Sequence, residues 1–133
     1  MFHNLEAGMT QGITFILADV KPNLFAPEVL ALFKPSVYNP TPERLKHRAE
    51  KYAADKCISV YACKSSEKYI GIVVFRAENS TAEILDIAVK PEYRKHGIGR
   101  KLIDLILNQF PVDIIIAETD NDAVGFYEKC GFT

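Results

Sequence analysis

A short loop with two glycines constrains this chain more than any other segment. The loop follows an apolar, strand-like run (residues 84–89) and precedes an amphipathic helical pattern (residues 100–110); its residues are Arg94, Lys95, His96, Gly97, Ile98 and Gly99. Glycine lets the backbone turn tightly and approach a ligand, and the first turn of a helix has N–H groups without intrahelical partners at the positive end of its dipole. This order predicts an anion site that suits a phosphate.

Two other kinds of phosphate loop do not fit these residues. A dinucleotide-binding fingerprint needs a third glycine, here near Leu102, and a nucleotide-triphosphate loop needs Gly-Lys followed by Ser or Thr. Both features are absent from the segment. Because a Gly-x-Gly after a strand is also compatible with an ordinary turn, the interpretation depends on a second segment, residues 120–132.

The two segments together resemble the GNAT superfamily of acyl-CoA-dependent N-acetyltransferases. The loop pattern Arg94-x-x-Gly97-x-Gly99 is similar to the family's pyrophosphate loop, and residues 85–89 resemble the strand before it. The pattern that is similar to the family's closing helix consists of Ala123, Phe126, Tyr127, Lys129, Gly131 and Phe132. The resemblance covers about residues 70–132, and before that only the order of elements agrees.

The resemblance implies an α/β, GNAT-like fold, with a mixed, mostly antiparallel sheet and flanking helices, and acetyl-CoA as the acyl-donor substrate. In such a fold the exposed backbone of Ile87, Ala88 and Val89 pairs with the pantetheine arm and the thioester carbonyl. The pyrophosphate is bound mainly by backbone N–H groups of the loop, for which the candidates are Arg94, Lys95, His96, Gly97, Ile98, Gly99 and Arg100. Asp120 stands where the family often has Asn, and Asn121 is one step out of register; both are candidate cofactor-binding residues.

Length and composition predict one domain, residues 1–133, without nucleic-acid or membrane partners. The chain is long enough for one core and too short for two domains. Sixteen basic and seventeen acidic side chains give a net charge of -1, which argues against binding by phosphate neutralisation. Three cysteines without a Cys-x-x-Cys pair indicate neither disulfides nor a metal site. With no signal peptide and no span-length apolar run, we expect a cytoplasmic protein.

The hydrophobic pattern predicts the order of the elements along the chain. A strand is expected at residues 12–20 and a helix at residues 24–33. Thr41, Pro42 and Glu43 supply an N-cap, a first-position proline and an acid in the first turn, which predicts a helix to about residue 55. The remaining expected elements are a hairpin of residues 57–63 and 69–77, a strand at 81–89, a helix at 100–110 and a strand at 112–117 that is buried on both faces.

The end of the sequence differs from the family pattern. GNAT domains continue past the Gly-Phe pair with one or two further strands that pair with the equivalent of residues 112–117, whereas this sequence stops at Thr133. An uncovered apolar strand edge is a liability. We therefore expect a homodimer through that edge, a rearranged N-terminal segment (residues 1–12), or a truncated chain.

Acetylation of an amine needs a neutral nucleophile and a proton for the leaving thiolate. Tyr127 matches the family's usual acid. Glu83 is the preferred base because Ala82-Glu83-Ile84 resembles the base-bearing strand of the histone-acetylating branch, with Asp86, Glu118 and water as alternatives. Strict alternation along the strand places Glu83 on one face of the sheet and Asp86 on the other, so that only one can face the acceptor.

These features predict an N-acetyltransferase that acts on a primary amine by direct attack in a ternary complex. The acceptor is a small molecule, a peptide or a protein, and the first half of the chain selects it. A different hypothesis is a non-catalytic acyl-CoA-binding module that senses the donor or assembles with a partner.

Overall fold

The computed structural model describes residues 4–10 and 13–117. Within these ranges six strands form one sheet, and each strand pairs with its neighbours in sequence. The strands are β1 (Asn4–Thr10), β2 (Ile13–Asp19), β3 (Ile58–Ser65), β4 (Lys68–Glu78), β5 (Thr81–Val89) and β6 (Ile114–Ala117). The first four pairings are antiparallel and the last, between β5 and β6, is parallel. The predicted hairpin, β3 with β4, is therefore confirmed.

The helices are α1 (Pro27–Leu30), α2 (Pro42–Ala54) and α3 (Ile98–Gln109), with short 3-10 segments at Lys21–Asn23, Ala31–Ser36 and Pro91–Tyr93. The prediction of one helix over residues 24–33 is wrong. Ala26 is extended (φ -64°, ψ 136°), as expected for a residue before proline, so that α1 begins only at Pro27. The chain then continues as a 3-10 segment that contains Pro35. No helix in the described ranges is long and apolar enough to cross a membrane.

The N-terminus of α2 is built as its sequence predicts. The side chain of Thr41 accepts a hydrogen bond of 3.2 Å from the backbone N–H of Arg44, and Pro42 occupies the first helical position. Leu45, Ala49 and Tyr52 are the buried residues of the helix, and their spacing places them on one face. Through this face α2 packs against the sheet.

The sheet separates two hydrophobic clusters. The first, under α1 and α2, includes Phe33, Tyr52, Val60, Ile72 and Val74. The second, under α3, includes Phe15, Val73, Phe75, Leu102 and Ile106. Successive side chains of β4 pack in opposite clusters, so β4 is buried on both faces and belongs to both hydrophobic cores.

A β-bulge in β5 contradicts the prediction that Glu83 and Asp86 lie on opposite faces of the sheet. Val74 lies opposite Asp86, but Phe75 lies opposite Ile84, so that Leu85 is an extra residue. Ala82 and Ile84 pack in the α3 cluster, which places Glu83 on the opposite, α2 face. Asp86 also lies on that face, because it contacts Tyr52 of α2. Glu83 and Asp86 therefore share one face, because the two residues at a bulge break the alternation.

The two edges of the sheet also differ from expectation. β6 was predicted to be buried on both faces, but Ile114 and Ile116 are 58% and 49% exposed. Ile115 and Ala117 pack against the α3 cluster, so within the described residues β6 is covered on that side alone. β1 pairs with β2, at the edge opposite β6. This segment therefore does not cover the edge of β6.

Candidate functional site

The glycine loop has the backbone shape that its sequence predicts. Lys95 and Gly97 both have left-handed φ angles, 67° and 77°, on either side of His96. Such an alternation turns successive N–H groups toward one point and forms an anion-binding concavity. Gly97 is also the N-cap of α3, with no side-chain cap, and the helix begins at Ile98, two residues before the predicted start. The loop therefore leads directly into the N-terminus of α3, whose first N–H groups have no intrahelical partner.

Arg94 links the loop to the end of β5 from an exposed position. Its Nε donates a hydrogen bond of 3.0 Å to the carbonyl of Val89, the last residue of β5. Its backbone N–H is also used, since it donates to Pro91. The side chain of Arg94 therefore connects the loop to the strand.

Gly71 brings α3 close to the sheet. A Cβ atom at this position would lie 3.2 Å from Cγ2 of Ile98 and 3.3 Å from the carbonyl oxygen of Ala88. Both distances are shorter than ordinary van der Waals contacts, so a glycine allows the first turn of α3 to approach β4 and β5. The sequence analysis missed Gly71, although a glycine inside a strand pattern signals such a close approach.

The described pairing between β5 and β6 covers only the first part of β5. The parallel pairing joins Thr81–Ile84 of β5 to Ile114–Ala117 of β6. Among the described residues the pairing stops at the bulge, while β5 stays paired with β4 as far as Val89. Ile87, Ala88 and Val89 therefore lie on a part of β5 that has no described strand on its β6 side. A partly open cavity of about 180 Å³ adjoins Ala88 and Val89, and Leu32 and Pro35 are among the residues that line its other side.

One polar atom of the loop has no partner. Nδ1 of His96 is buried and makes no hydrogen bond in the described structure. A buried nitrogen without a partner is costly, and such atoms often mark places where a ligand or water supplies the missing bond. The ring of His96, and not only its backbone, is thus a candidate for contact with a bound ligand.

Asp86 is a buried acid at the centre of a polar cluster. Its Oδ2 accepts a hydrogen bond of 2.8 Å from Oγ of Ser36 and lies 3.4 Å from Nη1 of Arg48 and 3.5 Å from the hydroxyl of Tyr52. Burial raises the pKa of Asp86, and Ser36, Arg48 and Tyr52 oppose that rise. Burial and the nearby Asp86 raise the pKa of Tyr52. This cluster joins the bulge of β5 to α2 and to the segment before it.

Glu83 is less enclosed than Asp86. It is half-buried and lies opposite Arg76 of β4. Arg76 is held by a salt bridge of 2.8 Å to Asp55, at the end of α2. The hydrogen bond from the Cys57 backbone, followed by the contact with Arg76, lowers the pKa of Asp55. Glu83 thus faces the α2 side with an intermediate exposure.

The remaining predicted site residues lie outside the described residues. They are Tyr127, Asp120 and Asn121, together with the alternative base Glu118. The structure brings the described cofactor-binding candidates together around the C-terminal end of β5: Ile87, Ala88 and Val89 on the strand, followed by the loop from Arg94 to Gly99 and by Arg100 in the first turn of α3. Glu83 lies near the other end of the strand. Sequence reasoning missed Ser36, Arg48 and Tyr52, because nothing local relates them to an acid more than thirty residues away.

The comparisons with known proteins agree with this arrangement. The model of the acetyltransferase (GNAT) family matches residues 26–132. Similar solved structures include the aminoglycoside 6'-N-acetyltransferase AAC(6')-Ih from Acinetobacter baumannii, with 15% identity, a TM-score of 0.72 and 90% of each chain covered.

Two further solved structures have the same fold. The aminoglycoside N-acetyltransferase AAC(6')-Iy in complex with CoA has 12% identity and a TM-score of 0.73, over 95% of this chain and 92% of that one. The ribosomal-protein-alanine N-acetyltransferase from Brucella melitensis biovar Abortus 2308 has 16% identity and a TM-score of 0.67, over 90% of each chain. At these identities the likeness concerns the fold, and it confirms the predicted fold class.

Proposed function

Because the chain belongs to the GNAT acetyltransferase family, we propose that it transfers the acetyl group of acetyl-CoA to a primary amine in a ternary complex. One observation carries the proposal: the left-handed Gly97 begins α3, and Ile98 in its first turn packs beside Ala88 of β5 across Gly71. A phosphate site and the backbone of residues 87–89 thus adjoin each other, as an extended acyl donor with a pyrophosphate requires. One similar structure was solved with CoA.

The residues of this site fit such a donor. The N–H groups of the loop and of the first turn of α3 would hold the pyrophosphate, and the buried Nδ1 of His96 would gain a partner. The backbone of residues 87–89 would pair with the pantetheine arm. Asp120 and Asn121 remain proposed contacts to that arm. Bound acetyl-CoA would supply the acetyl group as a thioester, whose C–S bond breaks as the amine nitrogen bonds to the carbonyl carbon.

The acceptor must lose a proton to become a nucleophile. An alkylammonium has a pKa of about 10.4, so its neutral form costs about 4 to 5 kcal/mol at pH 7 unless the site favours it. We propose Glu83 as the base, directly or through water, because it lies on the α2 face with an intermediate exposure that allows contact with an acceptor. Asp86 lies on the same face but is enclosed by three partners, which favours a supporting role.

The leaving thiolate needs a proton in return. We propose that Tyr127 donates it, since this residue matches the acid of the family's closing helix. The protons then balance: the ammonium gives one proton to Glu83 or water, the phenol gives its proton to the sulfur, and the second proton that the nitrogen loses as the amide forms restores Tyr127 through solvent. We further propose a cytoplasmic location and association of two copies through the β6 edge, where Ile114 and Ile116 are exposed.

Similar proteins indicate a broad class of acceptor. The solved structures with this fold include enzymes named for aminoglycosides and one named for an alanine of a ribosomal protein. We propose a small-molecule or protein amine for this chain.

The experiment that tests the donor site is calorimetric titration with acetyl-CoA. We expect micromolar binding by the wild type and a loss of at least tenfold in Lys95→Glu, which places a carboxylate in the anion loop. Lys56→Glu makes the same charge change at an exposed position after α2 and should bind as the wild type does. No binding by the wild type would contradict the proposal.

Turnover is measured separately, as thiol release with a panel of amines. We expect Tyr127→Phe to retain acetyl-CoA binding and to lose most of the turnover. Binding without turnover across the whole panel would instead favour a non-catalytic acyl-CoA-binding module.

A further inference from the structure

An open cavity lies at the start of α2. Its volume is about 430 Å³, and it is lined by Val37, Tyr38, Glu43, Arg44, His47 and Arg48. Two of these side chains are guanidiniums and one is an imidazole, whereas Glu43 is the one carboxylate among them. The N–H groups of arginine form a fork that matches the two oxygens of a carboxylate. The lining therefore favours an anionic group.

Arg44 has donors available for such a group. Its Nη1 donates a hydrogen bond of 2.9 Å to the backbone carbonyl of Tyr38, another residue that lines the cavity. A guanidinium has five N–H donors, so one bond leaves most of them for a ligand. Of the three ion pairs in the described ranges, none involves Arg44 or Glu43. No carboxylate of the described residues thus neutralises the charge of Arg44.

Arg48 connects the cavity to β5. Its Nη1 lies 3.4 Å from Oδ2 of Asp86, and its Nη2 lies 3.4 Å from the carbonyl of Ser36. Both distances are longer than the usual range for N–H···O bonds, so the guanidinium is held loosely by its protein partners. The cavity therefore adjoins the face of β5 on which Glu83 and Asp86 lie.

We infer that this cavity is the acceptor subsite and that it selects amines which also carry a carboxylate, bound by Arg44 with help from His47 and Arg48. The inference rests on the proposed function, because it takes the ligand to be the acetyl acceptor. Glu43 limits the affinity for such ligands by repulsion. An acceptor with a second ammonium group in place of the carboxylate would be disfavoured.

The test compares ω-amino carboxylates, from glycine to 6-aminohexanoate, with the amides of the same chains. Binding to the ¹⁵N-labelled protein saturated with CoA is followed by chemical-shift changes. We expect at least one carboxylate to bind about tenfold more tightly than its amide, with shift changes at His47 and Arg48. Equal affinities within every pair, or no binding of any carboxylate, would overturn the inference.

Three variants test whether the cavity causes the preference for carboxylates over amides. Arg44→Gln should abolish the preference for the carboxylate, and Glu43→Gln should increase it. Lys46→Gln removes the same charge from an exposed position of the same helix, on a different face, and should leave the preference unchanged. A preference that persists in Arg44→Gln would show that another site binds the carboxylate.

Acetylation of the same compounds separates this inference from the proposed function. Acetylation of both members of each pair at equal rates would overturn the subsite and leave the N-acetyltransferase standing. Preferential binding of carboxylates without acetylation of any amine would support the subsite and contradict the proposed function.

Discussion

At the scale of single residues, the carboxyl of Asp86 is the one charged group that is buried in the described ranges. An acid enclosed by protein loses hydration, and the loss is greater for the ionised form. The hydroxyl of Ser36, the guanidinium of Arg48 and the phenol of Tyr52 replace only part of that hydration, so the pKa of Asp86 stays above its usual value. Asp86 therefore makes the stability of the protein depend on pH.

The direction of this dependence can be predicted. Because the pKa of Asp86 is higher in the folded state than in the unfolded chain, the folded state binds its proton more tightly. Its contribution to the free energy of unfolding is fully present below the unfolded pKa of 3.8 and is lost as the pH rises through the folded pKa. In Asp86→Asn this loss is absent, so the variant gains stability relative to the wild type as the pH rises.

Urea unfolding at a series of values between roughly pH 4 and pH 8 measures this difference. Asp113→Asn, at an exposed acid, is the matched control. A difference between Asp86→Asn and the wild type that does not change with pH would contradict the prediction.

A second residue-scale prediction concerns Gly97. A side chain in the left-handed region costs roughly 1 to 2 kcal/mol, and asparagine tolerates that region better than alanine does. With φ at 77°, Gly97→Ala should lower the free energy of unfolding by about 1 to 2 kcal/mol, and Gly97→Asn by less. Urea unfolding of the two variants tests the order, and equal losses would show that backbone conformation is not the cause.

At the scale of elements, α2 carries Arg44 and Arg48 and also packs Tyr52 into the core. Its start depends on the hydrogen bond that Thr41 accepts. Loss of an N-cap side chain costs about 1 kcal/mol. Thr41→Ala should therefore destabilise the protein by about that amount, whereas Thr41→Ser keeps the oxygen and should cost less. Thermal unfolding measures both, and a loss in Thr41→Ser equal to that in Thr41→Ala would contradict the role of the cap.

Elements with local signals could be predicted from the sequence, and those governed by competing signals could not. α2 has its cap, its proline and its apolar face within one continuous segment. Residues 24–33 have an equally apolar pattern, but Pro27 keeps Ala26 extended and so delays the helix. The bulge of β5 has no local signal, because it depends on how Leu85 and Asp86 fit against Val74 and Phe75 of another strand.

The residues of the candidate site also differ in whether the sequence alone predicts them. The glycine loop was predictable because Gly97 itself has the conformation that glycine alone adopts readily. The partners of Asp86 come from segments that are 34 to 50 residues away, and only the folded sheet brings them together. The cavity lined by Arg44 and Arg48 likewise arises from packing between α2 and the segment before it.

At the scale of the whole molecule, one sheet holds two cores that share β4. Phe33 lies in the α2 cluster and Phe75 in the α3 cluster, and both are fully buried. Truncation of a buried phenylalanine to alanine costs about 3 to 5 kcal/mol. Because the two clusters pack on opposite sides of the same strand, we expect Phe33→Ala and Phe75→Ala each to lower the stability of the entire protein.

Unfolding followed by both fluorescence and circular dichroism tests this expectation. The two probes should give one coincident transition in each variant, shifted to lower denaturant. Tyr38→Ala, at a side chain that is 87% exposed, should change the stability by less than about 0.5 kcal/mol. Separate transitions in either phenylalanine variant would show that the two layers fold independently.

The extra residue at Leu85 has a consequence for how β5 tolerates changes in length. Ala82 and Ile84 before the bulge, and Ile87 and Val89 after it, all pack toward α3, although their positions differ in parity. Deletion of Leu85 would remove the extra residue and restore strict alternation, so that all four side chains would still face α3. Deletion of one residue from a regular part of β5 would instead turn the side chains beyond it to the wrong side of the sheet. The bulge is therefore the position in β5 where the loss of one codon would disturb the two cores least.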